Sequence, residues 1–140
     1  MSIAKAGERF IGDWVLEVDR CHYEQGSPPR SGSYRIEREG EELVFHMKWV
    51  DVEGEIFNLS FRGIPDGEPR AYSGGELADH LSLDAPSPTK LNSSAYLKGL
   101  ELMIATRTLI DGGKYMMLTQ TIILPDGSKP TNSSRYRRKA

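Results

Sequence analysis

Glycine falls at near-regular intervals along this chain, often behind an acidic residue: Glu39-Gly40, Glu53-Gly54, Asp66-Gly67, Gly74-Gly75, Asp111-Gly112-Gly113 and Asp126-Gly127. Gly, and the Asp-Gly pair above all, supplies the positive φ that tight hairpin turns need, so each mark is an expected chain reversal. The segments between the marks have strand length, and several alternate apolar and polar side chains with period two. From 10 to 18 the even positions carry Phe10, Gly12, Trp14, Leu16 and Val18, while Asp13 and Glu17 share the other face. The same alternation sets Leu43, Phe45, Met47 and Trp49 against Val44, His46, Lys48 and Val50, and Phe57, Leu59 and Phe61 against Asn58, Ser60 and Arg62. Leu77, Leu81 and Leu83 repeat it, whereas 102–110 and 115–124 carry large apolar groups on both parities.

The pattern predicts strands at 10–18, 32–38, 42–50, 55–62, 76–83, 90–97, 101–110, 114–124 and 132–138. No stretch shows a sustained helical period; Ser2 to Arg9 is expected to form one helical turn or two, and Arg20 to Gly32, with Pro28-Pro29, an extended loop. The chain has 140 residues, the size of one domain, and residues 1–140 are read as a single unit. Consecutive antiparallel strands joined by short hairpins must dispose of their open edges, and closure removes both at once. The expected architecture is therefore all-β: an antiparallel up-and-down barrel of about eight to ten strands, either filled or wide enough for one small ligand. A two-sheet sandwich is the alternative, although its crossovers need longer connections than this spacing provides.

The net charge is −2 and gives no basic footprint for nucleic acid. Acidic residues dominate residues 1–70 and basic ones 71–140, the latter partly through Arg135, Arg137, Arg138 and Lys139, which could meet phosphate, an acidic partner or only solvent. Cys21 is the sole cysteine, so neither an intrachain disulfide nor a Cys-rich zinc site is expected. No apolar run has the length of a secretory signal core or a membrane span, and the chain reads as cytoplasmic without membrane insertion. A homodimer is left open.

The first strand holds Phe10-Ile11-Gly12-Asp13-Trp14, and this Gly-x-Trp opening resembles that of the lipocalins and fatty-acid-binding proteins. With Gly26-Ser27-Pro28-Pro29-Arg30, Tyr34-Arg35-Ile36, the Arg107 strand and the close around Tyr136, the chain is similar to a bacterial lipocalin-like group. The resemblance implies a calycin-type barrel in which Trp14 packs across a closed end and later strands line a cavity for a small hydrophobic or amphipathic molecule. Two departures stand out. The 20–32 loop is too short for the helical lid of fatty-acid-binding proteins, and Arg135 precedes Tyr136 directly instead of being spaced from it as in their carboxylate clamp, so the two residues face opposite ways.

The candidate ligand-binding residues are Trp14, Tyr34, Phe45, Met47, Trp49, Phe57 and Phe61 from the apolar stripes, with Arg107, Tyr115 and Tyr136 as polar anchors. Parity alone does not decide whether the stripes wall a pocket or fill a core. Arg107 lies mid-strand among apolar neighbours; facing inward it would need a carboxylate or an anionic ligand, facing outward only water. His22, His46 and His80 show no metal-ligand spacing, and no metal or cofactor is expected. Asp79-His80 would face opposite ways if both lay within a strand. Nucleophile-elbow, P-loop and dinucleotide patterns are absent, which disfavours common hydrolases but not an isomerase or cyclase working in the same cavity. A solid barrel serving only structural contacts is a third reading.

Overall fold

A computed structural model describes residues 5–71 and 78–139. A 3₁₀ turn at Glu8–Phe10 leads into ten strands: β1 (Gly12–Tyr23), β2 (Ser31–Glu39), β3 (Glu42–Val50), β4 (Ile56–Gly63), β5 (Arg70–Ala71), β6 (His80–Ser87), β7 (Lys90–Leu97), β8 (Leu100–Ile110), β9 (Tyr115–Ile122) and β10 (Thr131–Arg138). They form one antiparallel sheet in the order β4-β3-β2-β1-β10-β9-β8-β7-β6-β5, the all-β meander that hairpin spacing requires. Pairing of the first strand with the last curls the sheet into a nearly closed barrel; among the described residues β4 approaches β6 without a ladder between them, leaving a seam.

Nine expected strands become ten because Arg70–Ala71 adds a two-residue strand beside Leu81 and His80. The strand expected at 76–83 runs instead at His80–Ser87; its first two positions, Leu77 and the Gly74-Gly75 turn lie outside the described residues. β1 continues to Tyr23, five residues beyond its expected end, because a bulge between Glu17 and His22 keeps it paired with β10. The loop behind it is thereby cut to seven residues, 24–30, and tied down by Asn132 Oδ1, which accepts from the Glu24 and Gln25 amides at 2.9 and 3.0 Å. The expected helical turn before β1 is the 3₁₀ turn; residues 1–4 are outside the description.

The register places one row from each strand inside. Phe10, Ile36, Leu43, Phe45, Leu91 and Met116 are fully buried, and with Leu83, Leu109 and Leu118 they fill one end of the barrel. The N-terminal segment plugs that end: a Cβ on Gly7, whose φ is +76°, would sit 2.6 Å from Leu43 Cδ1. Above the plug, Trp14 donates its indole N–H to the Phe10 carbonyl at 3.0 Å. Arg138 lies across the indole face with Cζ 4.2 Å from the ring. Its guanidinium donates to the carbonyls of Arg9, Ile11 and Gly113 at 2.7, 2.8 and 3.0 Å. A Cβ on Gly12 would come within 2.8 Å of Arg138 Nη1, so the glycine two positions before the tryptophan clears the path of that arginine.

Candidate functional site

The hydrophobic plug ends in a polar layer. Arg107 of β8 points inward and is only 2% exposed. Its Nε donates to Tyr34 Oη at 3.0 Å and its Nη1 to Ser93 Oγ at 3.1 Å. Its Cζ lies 5.1 Å from the Phe45 ring centroid and 5.7 Å from that of Tyr34. Among the described residues no carboxylate forms an ion pair with it. Among the described residues this buried guanidinium is held by two hydroxyls and aromatic faces with no compensating charge, an arrangement that proteins seldom keep for packing alone.

Tyr136 of β10 faces the same layer, edge-on to Tyr34 at 5.5 Å between ring centroids. Burial, reinforced by Tyr34, Tyr23 and Cys21 nearby and opposed by Arg107, pushes its phenol well above the ordinary range, so it stays a neutral donor. The bulge in β1 turns Cys21 and Tyr23 toward this side of the strand. Tyr23 Oη lies 3.2 Å from Ser134 Oγ, and burial raises both the Tyr23 phenol and the Cys21 thiol.

Beyond this layer the inward rows remain incompletely covered. Met47 and Trp49 of β3 are half-buried, and Phe57 and Leu59, which face inward on β4, are still 38% and 37% exposed. Trp49 and Phe57 stack at 5.5 Å. Met103, Gln120 and Ile122 on β8 and β9 are likewise half-buried. The barrel is thus filled at one end and open-rowed at the other, with Arg107, Tyr34 and Tyr136 between. Beside it, the seam between β4 and β6 opens on a cleft of about 610 Å3, where Phe61 and Leu83 reach the edge and Arg62 and Arg70 stand at the rim. Phe61 stacks on Phe45 at 4.5 Å, linking the seam to the ring beneath Arg107.

The structure brings together Tyr34, Phe45, Arg107 and Tyr136, with Met47, Trp49, Phe57 and Phe61 along the adjoining wall. Two candidates lie elsewhere. Trp14 is 1% exposed in the plugged end beneath Arg138, so it closes the barrel instead of lining its open part. Tyr115 is on the outer face, because its neighbour Met116 takes the inward position; the Arg135 guanidinium lies 4.4 Å from its ring. Arg135, whose Nε is 2.5 Å from Glu17, faces out while Tyr136 faces in. Ser93 and Ser134, both buried, belong to the polar layer although neither stands out as a short polar residue in a strand, and Tyr23 could not be placed without the bulge.

The histidines stay outside. His46 lies 2.9 Å from Ser60 Oγ and 3.2 Å from Glu37 on the outer wall. Asp79 and His80 do bond side chain to side chain at 2.9 Å, correcting the expectation that they would face apart: Asp79 precedes β6, where the backbone is not yet held to strand alternation. That bond, with the Lys98 amide, holds the exposed Asp79 carboxyl below its usual range. Among the described residues no cluster of three or more His, Cys, Asp or Glu could hold a metal, and no helix is long and apolar enough to cross a membrane.

A meander nearly closed by its terminal strands, with a tryptophan sealing one end, is an all-β barrel of lipocalin-like fold. No protein-family model matches the chain, and no curated protein matches it in sequence. Solved structures match it in fold. The ileal bile acid-binding protein of zebrafish, complexed with cholic acid, is 14% identical with a TM-score of 0.55 over 94% of this chain and 99% of its own. Lipid binding protein 8 of Caenorhabditis elegans is 14% identical with a TM-score of 0.60 over 94% and 96%. Lobster apocrustacyanin A1 is 14% identical with a TM-score of 0.51 over 95% of this chain and 62% of its own.

Proposed function

We propose that the barrel binds a small amphipathic molecule, its apolar body against Met47, Trp49, Phe57 and Leu59 and an acidic headgroup against Arg107. The observation that carries this reading is a buried guanidinium, without a carboxylate partner among the described residues, at the floor of a half-exposed apolar wall. A carboxylate or similar anion would supply the missing charge and accept from the guanidinium in low dielectric. The zebrafish protein holding cholic acid and the nematode lipid binding protein, which share the fold, support a ligand of this class.

The test is titration with cholate and with a long-chain fatty acid, followed by Trp49 emission. The acid is expected to bind saturably, its methyl ester and the Arg107→Met variant each weakening binding by about tenfold or more. Absence of binding by either acid, or equal affinity for acid and ester, overturns the headgroup assignment.

A second reading, an isomerase or cyclase, draws on the convergence of Tyr34, Arg107 and Tyr136. The layer offers the neutral Tyr136 phenol and the Arg107 guanidinium but, among the described residues, neither histidine nor carboxylate to accept a proton, which favours binding over proton-transfer chemistry.

A further inference from the structure

At the plugged end, on the outside, the chain turns from β8 to β9 through Asp111–Gly113 and meets the last residues of β10. The two segments enclose a cleft of about 350 Å3 lined by Lys114, Tyr115, Arg137, Arg138 and Lys139 with Gly112 and Gly113. Four of its seven lining residues are cations and none is an anion, in a chain whose net charge is −2. Elsewhere on the outer wall four arginines are matched: Arg35 to Asp13 at 2.9 Å, Arg70 to Asp66 and Arg135 to Glu17 at 2.5 Å, and Arg62 to Glu39. Among the described residues Lys114, Arg137, Arg138 and Lys139 meet no carboxylate.

The cleft is built, not a chance cluster of flexible tails. The Arg138 amide donates to the Lys114 carbonyl at 2.8 Å, joining the two segments, and the Lys139 amide donates to the Asp13 carbonyl at 2.8 Å. The Arg138 guanidinium is pinned by its three carbonyls, so its charge is fixed in the wall. Burial, and after it the charge of Arg9, lower its pKa. The side chains of Lys114, Arg137 and Lys139 are exposed and free to close on an anion, Arg137 as a planar fork and the lysines as point charges. The two glycines carry no side chain to block the approach of tetrahedral oxygens, and a Cβ on Gly112 would meet nothing within 4 Å.

We propose that this cleft is a phosphate-binding site, taking a phosphate monoester either free in solution or on a lipid headgroup. It lies at the end of the barrel opposite the half-exposed rows, so it is independent of occupancy at Arg107.

The experiment is an amide chemical-shift titration of the full chain with inorganic phosphate at constant ionic strength. Amides of Gly112, Gly113, Lys114 and Lys139 are expected to shift saturably, and the Lys114→Ala/Arg137→Ala double variant to weaken binding about tenfold or more. Both replaced side chains are exposed, so the variant should keep the parent's urea midpoint; Lys139→Ala provides a second probe if it does not. Shifts that fail to saturate, that sodium chloride reproduces at equal ionic strength, or that survive the double substitution overturn the site. Co-sedimentation with phosphatidylcholine vesicles, with and without phosphatidic acid, separates the sources: capture by phosphatidic acid alone supports a headgroup, and saturation by phosphate without capture supports a free phosphate.

Discussion

Arg138 and Trp14, the two ends of the strand-forming sequence, meet face to face: the guanidinium of the last residue of β10 lies 4.2 Å from the ring of the third residue of β1. The contact combines a cation over an indole with three hydrogen bonds to carbonyls from the 3₁₀ turn, the β1 entry and the β8–β9 turn. Arg138→Ala is expected to lower unfolding free energy by about 2–3 kcal/mol, from lost stacking and unsatisfied carbonyls. Arg138→Lys should recover only part, since a single ammonium cannot reach three separated acceptors in a plane. Urea denaturation followed by tryptophan emission measures both; a loss below about 0.5 kcal/mol would show the cap to be incidental.

Arg107 is expected to behave in the opposite sense. Among the described residues its charge has no carboxylate partner, so an apolar side chain of similar length removes a desolvation cost while giving up two hydroxyl contacts. Arg107→Met should unfold within about 1 kcal/mol of the parent or at higher denaturant, while losing the acidic ligand. A destabilisation of about 3 kcal/mol or more would mark the guanidinium as part of the core's architecture and remove the main ground for a ligand there.

Alkaline pH should find the polar layer. Cys21, Tyr23 and Tyr136 all have folded pKa values raised by burial, from ordinary values of 9.0 for the thiol and 10.0 for the phenols. The folded state therefore holds these protons more tightly than the unfolded chain. Their contribution is intact below the unfolded values and is lost as pH rises through the folded ones. Urea midpoints should be flat in this respect to about pH 9 and then fall, and Tyr136→Phe should flatten the fall. An unchanged slope in that variant would place the titrating group elsewhere.

Among the described residues β4 is an eight-residue edge strand, and its stretch Ile56–Phe61 has neither charge nor proline. Ile56 is 62% exposed, and Val52 just before it is half-exposed. Such an edge lacks the charged or kinked residues that usually block strand addition. Asn58→Glu, on the outward row opposite Lys48, is expected to reduce self-association at high protein concentration with little effect on stability. Light scattering against concentration decides it: an equal second virial coefficient for parent and variant would show the edge to be already protected.

Much of this barrel is legible in side-chain alternation. Leu43, Phe45, Met47 and Trp49 point inward as their parity requires, and Phe57, Leu59 and Phe61 follow them through an unbroken register. Legibility fails where the backbone departs from regular pairing. The β1 bulge exchanges inside for outside between Glu17 and His22, which hides Cys21 and Tyr23 from any reading by parity. In β8 and β9 both parities are apolar, so nothing local tells that Arg107 points in and Tyr115 out; that follows from register with Leu91 and Ile110. The β7–β8 hairpin turns on Lys98-Gly99, with φ of 50° and 83°, where lysine takes the place commonly held by Asn or Asp and so leaves no obvious turn signal.

The unlaced line between β4 and β6 gives the wall a direction of compliance. Every other neighbouring pair of strands is stitched by a ladder, so widening the barrel anywhere else would break backbone hydrogen bonds. At the seam the girth can change by sliding Phe61 past Leu83 and by re-aiming Arg62, whose partner Glu39 is an exposed carboxylate able to follow. Guests of unequal thickness would therefore register as different spacings along this one meridian, while the plugged pole, fastened by Arg138, keeps its shape.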